Sequence, residues 1–259
     1  MGMLKLHSVI SSGFGKNTEF ISFIYSYLLK KYNLNFYNRI VVNHIGDDLQ
    51  EKIFHNNKSV HINIRFLMGS DFSLKDETGK NKIFLKIIHE GLVRLAKEDG
   101  KMSIEVLKLI KGEILSKKFI YSIEHMSIIN KKDHELVAKI IIRPSMTKFC
   151  FYILIMNRDQ IKCETLIYQG GASDYYLDDL FGIGKWKGLN EFIIKGRRSE
   201  IEFHVYVDSC KIRLVNTSID KNKAPIFNLF RADASSQELQ DYISSLPPGV
   251  GASITYNPN

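Results

Sequence analysis

The stretch SSGFGKNTEF, residues 11–20, places two glycines and a lysine between a strand-like run (residues 3–10) and a helix-like one. Phosphate loops use that order, because backbone amides and a lysine must converge on an anion. The nucleotide pattern G-x-x-x-x-G-K-[ST] is incomplete here. With Gly15 and Lys16 aligned, Ile10 takes the first glycine position and Asn17 the position of the metal-binding hydroxyl, while Thr18 comes one residue late. What remains is a capped helix start, with Gly13 to Thr18 as a weak nucleotide or anion site carried by Lys16.

A second constellation lies at residues 169–188, QGGASDYYLDDLFGIGKWKG, between two strand-like runs. Long connections in compact domains tend to be functional or disordered, and this one is too aromatic for disorder. It holds Tyr175, Tyr176, Phe181 and the sole tryptophan, Trp186, beside Asp174, Asp178 and Asp179. Ser173 can cap a helical turn whose Tyr176, Leu177, Leu180 and Phe181 pack downward. Aromatic side chains beside acids suit a protein-binding surface. The expected protein-binding residues are therefore Asp174, Tyr175, Tyr176, Asp178, Asp179 and Trp186. The bland alternative is a self-packed Ω-loop. Under a nuclease alternative the three acids hold a metal, and the basic turn with Lys195, Arg197 and Arg198 contacts phosphate.

Other candidates fail on spacing. His89-Glu90 sits on a helical run, but the i+4 partner of His89 is Val93, so a zinc helix lacks its second ligand and a solvated helix face is expected. His61 and His204 alternate with apolar residues on strand-like runs and read as wet-face residues. The helical runs 81–97 and 104–118, with Gly100 suited to the position just past the first and Ser103 to capping the second, form an αα-hairpin with Lys108, Lys111 and Lys118 on one face. As a helix-turn-helix the pair lacks Arg, Asn or Gln on its second helix to read base edges. No nucleophile arrangement, metal-ligand set or cofactor motif emerges. The leading reading is thus a non-catalytic protein-binding protein of inhibitor, immunity or adaptor type, with no cofactor and no metal. A nucleic-acid-binding or nuclease-like protein is the alternative, and anion binding at Gly13 to Thr18 is third.

Composition bounds these readings. The 259 residues are 44% hydrophobic and 25% charged, an ordinary globular balance. The net charge of +8 allows nucleic acid or an acidic partner. Abundant Lys, Asn and Ile make the composition bacterial-like and offer base bias as a simpler cause. No apolar run reaches the roughly 18–20 residues that span a bilayer, so no membrane partner is expected. The three scattered cysteines, Cys150, Cys163 and Cys210, predict buried free thiols in a reducing cytoplasm.

The elements that must position these residues change character along the chain. Residues 18–29 are apolar on most sides and predict a buried helix. Residues 38–45 and 59–68 read as strands, with Asp47, Asp48 and Glu51 on a short helix between them. After residue 136 the period changes from 3.6 to 2. Strand-like runs follow at 137–143, 148–156, 161–168, 191–195 and 200–216. The last folds as a hairpin in which Val205 faces Ile212 and Phe203 faces Leu214. Residues 235–246 carry a capping box and predict a short docking helix. The expected fold is α+β: N-terminal helices on a mainly antiparallel sheet from the C-terminal half, plus that docking helix. The parts are a helix-rich half (1–130), a β-meander half (131–217) and a tail (218–259).

Overall fold

The computed structural model describes residues 5–10, 15–45, 50–57, 59–67, 69, 71–145, 148–170, 181–196, 200–217 and 254–257. The fold is α+β and divides into two compact units. One comprises Met1–Tyr121 with Pro144–Lys148, the other Ser122–Arg143 with Phe149–Asn259.

In the first unit, β1 (Lys5–Ile10), α1 (Gly15–Lys31) and β2 (Arg39–Ile45) form a parallel β-α-β crossover. β2 also pairs in parallel with β4 (Ser59–Arg65), and β4 pairs antiparallel with β3 (Lys52–Asn56), giving the order β1-β2-β4-β3. Ile40, Val41 and Val42 are buried in succession, as a strand covered on both faces requires. α1 is buried on nearly every side, including at Ser22 and Ser26.

The two further helices are α2 (Glu77–Asp99) and α3 (Ile104–Ser116). α2 starts four residues before the apolar periodicity does, because the Asp76 carboxylate accepts the Gly79 amide at 2.7 Å. It ends where expected, at Gly100 in the left-handed region, and Ser103 caps α3. α1 lies on β1, while α2 lies on β2 and β4, so the first-half strands form a helix-covered sheet of their own. At Gly91 the approach to β2 is tight: a Cβ there would stand 2.8 Å from a Val42 methyl. Glu51, expected on a short helix with Asp47 and Asp48, stands immediately before the edge strand β3. The Glu51 carboxylate accepts the Arg65 amide at 2.8 Å and pairs with Arg94 at 3.0 Å. Asp47 and Asp48 lie outside the described residues.

The second unit holds two sheets. One runs β5 (Ile123–Ile129), β6 (Leu136–Pro144), β7 (Phe149–Asn157), β8 (Gln160–Gly170). The other contains β9 (Ile183–Lys187), β10 (Glu191–Lys195), β11 (Ile201–Tyr206), β12 (Ile212–Asn216) and β13 (Ile254–Asn257), in the spatial order β13-β12-β11-β10-β9. The hairpin register is the expected one, with Val205 opposite Ile212 and Phe203 opposite Leu214. Alternate residues such as Ile140, Phe151, Ile153, Phe192, Phe203 and Leu214 are buried.

Two expectations are corrected here. Cys163 and Cys210 are not free thiols but form a disulfide between β8 and the turn before β12. Two cysteines 47 positions apart give no local pairing signal, since only sheet packing brings them together. The run 169–188 is not one continuous loop, because β8 extends to Gly170 and β9 starts at Ile183. The expected docking helix at 235–246 falls outside the described residues. The terminus returns as β13, parallel to β12.

Candidate functional site

The connection between β8 and β9 carries the chain from one sheet of the second unit to the other, and aromatic side chains fix its flanks. Tyr168 stands near the end of β8, and Phe181 just before β9. Phe181 is fully buried, with ring centroids 5.0 Å from Phe151, 6.5 Å from Tyr168 and 5.9 Å from Phe203. Two of those partners belong to the first sheet and one to the second, so Phe181 pins the connection between both. Burial pushes the Tyr168 hydroxyl up to about 12, so it stays a neutral phenol.

Trp186 lies on β9 at its pairing position opposite Phe192, the ring centroids 5.2 Å apart. Its indole N–H donates to the Ile128 carbonyl at 3.0 Å, and Asn130 donates to the Gly188 carbonyl at 2.8 Å. These bonds tie edge strand β9 to edge strand β5. Gly184 makes the approach possible, since a Cβ there would fall 2.5 Å from Ile128 Cδ1 and 2.8 Å from the Phe192 ring. Around this anchor Ile183 and Leu189 stay exposed. Trp186 is half-buried, with its N–H committed to the scaffold. Asp174, Tyr175, Tyr176, Asp178 and Asp179 lie outside the described residues.

Lys195 lies on β10 and pairs with Glu202 at 3.2 Å, while Arg197 and Arg198 lie outside the described residues. Among the described residues, no three His, Cys, Asp or Glu side chains are placed to hold a metal ion. Lys16 falls in the first turn of α1. That turn follows β1, whose carboxyl end lies beside those of β2 and β4 at one edge of the sheet.

Two histidine clusters, one part-buried and one buried, were missed in the sequence. His204, on β11, sits between two carboxylates, with Nδ1 2.5 Å from Glu191 and Nε2 3.1 Å from Glu202. Burial alone would raise both carboxyls. Hydrogen bonds outweigh it and hold both below the usual range, from His204 and Lys187 on Glu191, and from Lys195 and His204 on Glu202. With both ring nitrogens occupied, the imidazole has no face left for a substrate proton, so the cluster braces β10 against β11. Its signal was the β10–β11 register, which places Ile193 opposite His204 and so puts Glu191 and Glu202 on the same face.

His89 is the second, and the expected solvated position is wrong, because it is only 7% exposed. Tyr25 from α1 meets its Nδ1 at 3.0 Å and donates to the Leu107 carbonyl of α3 at 3.3 Å. One hydroxyl proton cannot serve both, so the His89 Nδ1–H donates to the tyrosine oxygen. Burial first, then the Lys111 and Lys108 charges, lower its imidazole to about 4. The group is a neutral internal link among the three helices.

Compared with known protein families, curated proteins and solved structures, the chain matches none.

Proposed function

We propose that this is a protein-recognition protein whose binding surface centres on the connection between β8 and β9. The reading is carried by one observation: the segment 171–180, which contributes Asp174, Tyr175, Tyr176, Asp178 and Asp179, joins β8, where Tyr168 packs on Phe151 and Phe181, to a C-terminal flank anchored at Phe181 and Trp186. A rigid sheet scaffold with a chemically distinctive connection is how binding residues are commonly held. Preorganised flanks lower the ordering cost of association. The exposed Ile183 and Leu189 add apolar area on the described C-terminal flank, and aromatic anchors such as tyrosine dominate binding energy at interfaces. The test is stoichiometric capture from native extract by the full chain. Tyr175→Ala with Tyr176→Ala should abolish it while leaving the Trp186 emission spectrum and melting temperature unchanged. Equal capture by this variant overturns the reading.

A second reading, anion binding at Gly13 to Thr18, is favoured by the parallel β1–α1–β2 crossover. It puts the start of α1 at the carboxyl edge of the sheet, where helix amides attract negative charge. Inorganic phosphate or a Mg-nucleotide should raise the melting temperature in wild type and not in Lys16→Ala. No shift in wild type removes it.

A further inference from the structure

The Cys163–Cys210 bond joins β8 to the turn that opens β12, so it links the two sheets of the second unit covalently. Its sulfurs face different surroundings. Cys163 is 2% exposed and pairs across the sheet with Ile155, which is fully buried. Cys210 lies in the β11–β12 turn and is partly open to solvent. Cys210, the half of the bond whose residue is partly open to solvent, is therefore the side from which a solvent thiolate approaches. Attack there forms a new S–S bond to Cys210 and breaks the existing one, leaving the electron pair on the Cys163 sulfur. That sulfur would become a thiolate in apolar surroundings, where the charged form is disfavoured. The reachable sulfur thus has the poor leaving group, and the sulfur whose attack would expel a solvated thiolate is covered.

We propose that Cys163–Cys210 is a permanent staple that resists exchange while the protein is folded, and that the chain works under oxidising conditions rather than in a reducing cytoplasm. The ring it closes encloses residues 164–209, including the connection between β8 and β9. The inference does not depend on the recognition reading, since it concerns only the fate of the two sulfurs. Cys150 lies on β7 outside this bond and remains a thiol.

Thiol counting on the full chain tests it. Protein purified without reductant and then denatured should titrate one thiol of its three cysteines, and all three after reduction. Folded protein held with glutathione, quenched and then denatured should still titrate one. Three thiols without reductant, or a rise to three in the folded state, overturns the staple. Alkylation in intact source cells should label Cys150 alone, and labelling of all three cysteines there overturns the oxidising setting. Cys163→Ala with Cys210→Ala should melt several degrees lower, and an unchanged melting temperature contradicts the staple. If that variant fails to fold, the wild-type counts still decide.

Discussion

Acid should destabilise the helical unit through His89, by an amount the structure sets. Burial, followed by the Lys111 and Lys108 charges, moves its imidazole from an ordinary 6.5 to about 4. Between those values the unfolded chain binds a proton that the folded chain does not. The stability tied to neutral His89 is therefore complete above pH 6.5, declines through the interval and is lost once the pH falls below about 4. At about 1.4 kcal/mol per pH unit, the interval is worth about 3 kcal/mol. His89→Asn is the useful perturbation, because an amide can still donate to Tyr25 but does not titrate. Glu51 and Glu113, both held below their ordinary range, weaken wild type and variant alike at low pH and cancel in the difference. Urea unfolding between pH 7 and 4 would be followed by far-ultraviolet circular dichroism and by tryptophan emission. All three described helices belong to the first unit and Trp186 to the second, so the two signals separate the units. The stability of wild type relative to variant should fall by about 3 kcal/mol across this range, in the helical transition. A difference that stays flat would refute the neutral buried imidazole.

Four further effects follow. Replacing Cys163 and Cys210 by Ala should cost the second unit about 4 kcal/mol, from the chain-entropy relation for a 47-residue closure, read by Trp186 emission during unfolding. Gly184→Ala should lose about 1–3 kcal/mol by overpacking against Ile128 and Phe192. Gly112→Ala, whose new Cβ meets nothing within 4 Å among the described residues, should gain about 0.5–1 kcal/mol. The fully buried Thr165 hydroxyl has no hydrogen-bond partner among the described residues, so Thr165→Val should be neutral or stabilising by up to about 1 kcal/mol, measured by thermal unfolding.

What was legible in the sequence was what repeats. The hairpin register followed from strict alternation around Phe203, Val205, Ile212 and Leu214, which a one-residue slip would invert. Gly100 and Ser103 marked helix ends because their roles are local. β3 was hidden because it is a short edge strand with four of five positions exposed, so it carries no apolar alternation. β9 was hidden for a related reason: IGKWK holds only Ile183 and Trp186 as apolar residues, and Gly184 reads as loop although it marks a close strand approach. His89 looked exposed because its helical neighbours include lysines. Its burial comes from α1 and α3, and no helical period reports those partners. The candidate site was legible as composition, while the anchoring of Phe181 and Trp186 depends on strands distant in sequence.

The central claim, that recognition centres on the connection between β8 and β9, is tested most directly by amide hydrogen exchange of the full chain alone and with its captured partner. Protection on binding should concentrate in peptides covering residues 169–189, with the α1–α3 peptides unchanged. Protection that falls on α1–α3 or on the β1–α1 turn, and leaves residues 169–189 unaltered, would contradict it.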